Sequence, residues 1–410
     1  MKYDVIIIGG GASGMAAAAT IKNKRVCLIE GSKKLGKKLS ATGNGRCNLT
    51  NENLDISKYH GDTSVLLPYF ASFSLERVIS FFNSIGIITK ADEENRVYPL
   101  NLQAQAVNEA LFRALENNNT DVFLESTVIS AEKRKEGFLV KTSDNRELIS
   151  KKLIFASGGL ASPKLSCKNE SYAILKSLGH TVSFLSPSIV HFTSKDKFLN
   201  KLSGVRAKAK VTLKVGDRKI REEKGEVQFA DKSLSGICVM QLSTLCHSLV
   251  NAEYKFKEKA FIELDLLPDY SFPEALTVLK NLIKTVKNLK VKNLLSGILN
   301  LKLANEIINK SNLNPELDAN NLKEGEIKAV LSLIKSLKIS VEGLKGFEDA
   351  QVTSGGVLLK EIDLNSMESK RVKDLYLTGE LLNIHGDCGG YNLHFAFLSG
   401  IIAAEAINKK

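Results

Sequence analysis

Val5–Ile8 form an unbroken apolar run, the pattern of a parallel strand buried on both faces. Gly9, Gly11 and Gly14 follow at G-x-G-x-x-G spacing, and a helix over 13–23 carries the small residues Ala16–Ala19, suited to close packing. A second apolar run, 25–29, ends at Glu30, 21 positions after Gly9. In this arrangement the first glycine permits a tight turn, the second admits a pyrophosphate to the backbone, and the third lets helix pack on strand. Ala12, Ser13 and the other residues at the helix start offer free amides and a positive dipole end to phosphates. Glu30 stands where a carboxylate takes ribose hydroxyls, which disfavours the extra phosphate of NADP. The glycine motif alone is a weak signal; strand, glycines, helix, strand and acid in register make a strong one.

Farther on, the spacing predicts helices over 73–85 and 104–117 and strands over 121–128 and 138–142. An apolar strand, 153–156, stops at Ser157-Gly158-Gly159, where backbone can approach a ligand closely. From about residue 190 the pattern changes. Ala207, Ala209, Val211, Leu213 and Val215 alternate with polar residues, and Gly216-Asp217 offers a hairpin turn. A further strand, 260–266, precedes helices over 275–287, 294–301 and 327–337. Strands then helices, unlike the flanking pattern, predict an insertion in two parts. Capping of the substrate side and plain structural elaboration fit it equally.

The chain then returns to its first pattern. A strand over 374–378 runs into Gly379-Glu380, and Gly389-Gly390 opens a helix whose inward stripe is Leu393, Ala396, Phe397, Gly400, Ile401 and Ala404. A helix start bared by two glycines suits the anionic pyrimidine end of a reduced flavin. Thr353-Ser354-Gly355-Gly356-Val357 fits a cofactor contact and a plain turn alike. An extended dinucleotide gripped at both chain ends points to FAD. The expected organisation is α/β: a discontinuous FAD-binding domain over 1–190 and 345–410, a β-rich insert over 191–268 and a helical insert over 269–344.

With 410 residues, 43% hydrophobic and 25% charged, the composition is that of a globular chain of about two to three domains. No run approaches the roughly 18 to 20 apolar residues of a membrane helix, and the short apolar start is no signal peptide, so the chain reads as cytoplasmic with no membrane partner. The net charge of +12 is spread without a dense basic arm, and no dedicated nucleic-acid module is expected. Cysteines stand at 27, 47, 167, 238, 246 and 388, none in a C-x-x-C pair, so neither a metal site nor a vicinal disulfide is expected.

The polar stretch 33–51 contributes Lys38, Thr42, Gly43, Gly45, Arg46 and Asn48, which present amides and a guanidinium to a polar ligand. Arg46, His385 and Tyr391 are the catalytic candidates: a carboxylate or anionic-flavin partner, a general acid or base, and a residue that packs on the ring. No second glycine fingerprint follows a strand, so NAD(P)H is expected only as a transient electron donor.

The stretches GGGASGMAAA, TGNGRCNLTN, ASGGLASPK, LGH, VTSGGV, MESK and LYLTGELLNIHGDCGGYNLHFAFLSG resemble those of a bacterial family of FAD-binding oxidoreductases, the BaiN-like flavoproteins, some of them named aminoacetone oxidases. The resemblance implies a glutathione-reductase-type Rossmann domain interrupted by a β-barrel-like and helical insert. By motif it places Gly9, Gly11, Ser13 and Gly14 on the pyrophosphate, Glu30 on the ribose, and Thr42–Asn48 along FAD towards its ring. Val128, at the end of its strand, falls by the adenine; independently of the resemblance, the strand end at Gly158 is expected near the cofactor's middle. Glu380 reaches the ribityl chain or phosphate, and Gly390, Tyr391, Asn392 and Leu393 the isoalloxazine edge; the adjoining Gly379 and Gly389 are expected among the cofactor contacts. The chain departs from the family pattern over 165–171 and 225–236 and at Asn383. The implied function is flavin-dependent oxidation or reduction of a small molecule, as a double-bond reductase or an amine-type oxidase. An FAD-dependent tRNA-modifying enzyme is the alternative, and a redox-silent FAD-binding protein a third.

Overall fold

The computed structural model describes residues 2–165 and 170–410, so most of the departing segment 165–171, Cys167 included, lies outside the described residues. The chain divides into two compact units, one of residues 1–188 and 347–410, the other of 189–346.

The first unit is built on a sheet centred on β1 (Lys2–Ile8). α1 (Ala12–Thr20) follows and leads to β2 (Val26–Ile29). β3 (Glu147–Phe155) lies parallel to β1 on its other side, and β4 (Leu375–Leu377) lies parallel to β3. β2 pairs in parallel with the short strand Asp121–Phe123. Val5, Ile6, Ile7, Leu28 and Ile154 are all fully buried, as expected of strands covered on both faces. Two further strands, Gly137–Thr142 and Val128–Arg134, extend antiparallel from β3. Val128 therefore opens a strand and does not close one; the chain turns between Phe123 and Val128 because Ser126 and Glu125 bond back to the Glu30 and Ser32 carbonyls.

β5 (Ile384–Gly386) precedes α2 (Tyr391–Lys409), which packs against α1. The approach is very close: a Cβ on Gly400 would lie 2.2 Å from the Ser13 carbonyl. The small residues of α1 and Ala403 and Ala404 of α2 permit that contact, which joins the two chain ends into one layer.

In the second unit six strands close a barrel in the order 192–193, 233–235, 218–230, 206–215, 255–265 and 337–344. The alternating residues Ala209, Val211, Leu213 and Val215 point inward with Val227, Phe229, Ile262 and Ile339, all buried. Its helices are the short Ile237–Leu242 and, beyond the barrel strand 255–265, Phe272–Thr285, Leu301–Ser311 and Glu324–Lys335. The helix expected over 294–301 is absent; turns fill that stretch and the helix begins where the expected one would end. Ser296 and Gly297 disfavour continuation, and the Asn300 side chain accepts from the Lys302 amide at 3.0 Å, capping a new start. No single helix among the described residues is long and apolar enough to cross a membrane.

Candidate FAD site

At the end of β1 the chain turns through Gly9, whose φ of +107° and whose Cβ position, 2.5 Å from the Ala156 carbonyl, both exclude larger residues. A Cβ on Gly14 would lie 1.9 Å from the Gly9 carbonyl, so this glycine sets the packing of α1 on β1. Gly11 is different. Nothing lies within 4 Å of its Cβ position, and no side chain caps α1. The helix start thus presents open amides, the geometry a pyrophosphate requires. Glu30 accepts from the Gly10 amide through one oxygen and from the Ser32 amide through the other, both at 2.8 Å, which fixes its carboxylate beside the turn.

The polar stretch forms a short helix, Lys37–Ala41, and a kinked turn, Thr42–Gly45. Thr42 donates to the Leu39 carbonyl at 2.7 Å. Gly43 and Gly45 have positive φ, and Arg46 is exposed. Lys38 meets Glu380 at 2.9 Å, and the other Glu380 oxygen accepts from the Thr353 amide at 2.8 Å. These two expected cofactor residues are therefore paired with each other, a link across 342 positions that no sequence motif exposes. The Tyr172 hydroxyl lies buried with no hydrogen-bond partner among the described residues; burial, then the nearby Glu380 charge, pushes its pKa up. Gly158 has open space around its Cβ position, and the neighbouring Ser157 hydroxyl is buried with no hydrogen-bond partner among the described residues.

The C-terminal return closes the arrangement. The Gly379 amide donates to Ser399 at 2.9 Å, and Ser13 sits against the same glycine. Gly390, with φ +102°, brings the α2 start against Asn48: a Cβ there would lie 2.7 Å from Asn48 Oδ1 and 2.4 Å from the Thr50 carbonyl. Asn48 Oδ1 is buried and accepts no hydrogen bond among the described residues. Open amides at α1 and orphaned polar atoms at Asn48 and Ser157 are what a polar dinucleotide would satisfy. The residues present fit FAD.

Other expected contacts have structural duties. Asn392 accepts from the Gly386 amide and donates to the Gly386 carbonyl, each at 2.8 Å, holding β5 against α2. Tyr391 donates to the Asn53 carbonyl at 3.3 Å and meets Tyr59 edge-to-face; burial, and after it Asp387, raises its pKa. Leu393 is half-buried near the same helix start.

His385 lies on β5 directly opposite His60 of the strand Tyr59–Gly61. Their rings are 5.4 Å apart, and His60 Nε2 is 2.7 Å from the buried Asp387. His60 escapes sequence reasoning because a ladder between strands more than 300 residues apart creates the cluster. A surface groove of about 700 Å³ lies at the other end of α1, lined by Lys22, Arg77, Arg113 and Glu405 among others, away from the glycine turn.

The chain is 34% identical to a 3-dehydro-bile acid delta(4,6)-reductase of Clostridium scindens, over 98% of both proteins. It is 28% identical to a ribosomal RNA dihydrouridine synthase of Escherichia coli, also over 98% of each. Its fold is similar to that of a 3-ketosteroid delta1-dehydrogenase from Sterolibacterium denitrificans, with a TM-score of 0.52 and 13% identity over 100% of this chain and 99% of that one. Residues 3–406 match the family described as HI0933-like protein Rossmann domain. The chain belongs to this family of flavin-dependent oxidoreductases, with which the BaiN-like resemblance agrees.

Proposed function

We propose that this protein is an FAD-dependent reductase that adds two hydrogens across a carbon–carbon double bond conjugated to a carbonyl, with NAD(P)H as the transient electron donor. The observation that carries this reading is the shared chemistry of two full-length relatives. A delta(4,6)-reductase and a dihydrouridine synthase are both named for saturating such a bond.

When bound, FAD would supply the redox chemistry that links a nicotinamide donor to the substrate. Glu30 and the α1 amides would hold its ribose and pyrophosphate, and Arg46 and the α2 start would favour negative charge nearby. Hydride addition at the β-carbon leaves charge on the carbonyl oxygen and α-carbon, which must take a proton. The cluster of His385, His60 and Asp387, next to the glycine pair that opens α2, supplies imidazoles for that transfer, with the Asp387 carboxylate orienting His60. Overall, substrate, NAD(P)H and one proton give the saturated product and NAD(P)⁺.

A small enone and the uracil ring of RNA both contain this bond. The charge distribution favours the second as substrate: residues 189–346 carry 27 Lys and Arg against 18 Asp and Glu, and so hold +9 of the total +12. This extends the nucleic-acid alternative from tRNA to ribosomal RNA, following the relative's name.

Anaerobic stopped-flow tests the reading. NADH or NADPH is expected to bleach the flavin, and an enone or an unmodified RNA transcript to restore its colour. Bleaching by an amine and by neither nicotinamide would replace it with the amine-oxidase reading.

A further inference from the structure

The groove at the far end of α1 shares no lining residue with the glycine turn, the polar stretch 33–51 or the α2 start. α1 runs out into it at Thr20, the helices Leu75–Ser84 and Ala104–Asn117 flank it, and α2 contributes Ile401 and Glu405. Its volume of about 700 Å³ falls within the range of small-molecule sites.

The floor is apolar. Ala110 and Ile401 are buried, and Phe81, Ile85 and Ala114 are half-buried against the same core. Phe81 and Ile85 stand four residues apart in one helix, so both line the groove from one side.

Most of the charge around this floor is already answered. Arg77 meets Glu405 at 2.6 Å and donates to the Ser72 carbonyl at 2.9 Å. Lys22 donates to Asn118 at 2.8 Å and to the Ala19 carbonyl at 3.2 Å. Glu76 lies in the first turn of its helix, where its own backbone amide and then Ser74 hold its carboxyl below the usual range. Arg113 is left over. It is exposed, with no ion-pair or hydrogen-bond partner among the described residues. Its Nη2 lies 3.9 Å from where a Cβ on Gly86 would stand, just past the end of the helix Leu75–Ser84. Thr20 Oγ1 is also unanswered: it is buried, with no partner among the described residues. A groove that leaves a cation and a buried hydroxyl unsatisfied lacks a polar occupant.

These features select the ligand. One uncommitted cation matches one negative charge, and the planar fork of a guanidinium fits a carboxylate through two parallel hydrogen bonds. The apolar floor matches hydrocarbon attached to that carboxylate. A polyphosphate or a nucleic acid would bring more negative charge than this wall can answer.

We propose that the groove is a second small-molecule site, which takes a monocarboxylate with an apolar body. Arg113 grips the carboxylate, and the hydrocarbon lies on Phe81, Ile85 and Ile401. The site stands independently of the double-bond chemistry proposed above.

The test titrates the full-length FAD-loaded protein with octanoate, and with 1-octanol as the uncharged probe, in a calorimeter. Octanoate should bind saturably, one molecule per chain, and octanol about tenfold more weakly. Arg113→Gln should weaken octanoate about tenfold and leave octanol binding, FAD affinity and the melting temperature unchanged. Ala114→Leu, which fills part of the floor, should weaken both probes. Lys284→Gln removes an exposed lysine of the other unit and should bind octanoate like the parent.

Absence of saturable octanoate binding, equal binding of the two probes, or binding indifferent to Arg113→Gln would each overturn the proposal. So would a matching loss in Lys284→Gln, by showing attraction to net charge alone. A change in the flavin absorption spectrum on adding octanoate that persists in Arg113→Gln would place the acid at the cofactor instead, and overturn it as well.

Discussion

His60 and Asp387, 327 positions apart, meet at 2.7 Å beside the start of α2. An ionised carboxylate only accepts, so His60 Nε2 is the donor and its ring orientation is fixed. If this pair serves the protonation step, Asp387→Asn should leave flavin reduction by the nicotinamide unchanged and slow reoxidation by the enone about 100-fold. Equal rates in both half-reactions, measured by stopped-flow, would make the pair purely structural.

Gly11 and Gly14 separate cofactor binding from folding. Gly11→Ala adds a methyl group into open space, so its melting temperature without cofactor should match the parent while FAD affinity falls at least tenfold. Gly14→Ala drives a Cβ into the Gly9 carbonyl, and should cost about 1–3 kcal/mol of stability in denaturant unfolding as well as FAD binding.

Glu30→Ala removes the acceptor of two backbone amides and the expected ribose partner. FAD affinity, followed by flavin fluorescence, should weaken about tenfold, or ~1.4 kcal/mol. An unchanged affinity would move the adenosine away from this carboxylate.

His394 is buried on α2, with Nδ1 2.8 Å from the Thr50 hydroxyl and Nε2 3.1 Å from the Phe73 carbonyl. The carbonyl only accepts, so Nε2 carries the proton and Thr50 donates to Nδ1. Burial pulls the pKa down from 6.5 to about 4. Between those values the unfolded chain binds more protons than the folded one. Stability is therefore complete above pH 6.5, declines as pH falls through that window, and has lost about 3 kcal/mol below pH 4. His394→Gln should remove this part of the slope in urea unfolding between pH 7 and 4.

The glycine turn at 9–14, the acid at 30 and the glycine pair at 389–390 were legible because each is a local rule: a tight turn, a strand end, a bared helix start. The barrel's alternation and its hairpin at 216–217 were legible for the same reason, since side chains alternate faces along any strand. The helix capped by Asn300 differs from the one that apolar spacing predicts over 294–301, because a hydrophobic pattern carries no trace of a single side-chain cap.

By itself, then, the sequence determined the glycine turn after the first strand, the glycine-opened helix near the other end and the alternating strands of the insert, all encoded within a few consecutive residues. Only tertiary structure decided that Lys38 answers Glu380, that Gly390 rests on Asn48, and that His60 joins Asp387. Those contacts arise from the register of paired strands and the close approach of α1 to α2. Neither is a property of any short segment, because each depends on where distant backbones come to lie once the core has closed.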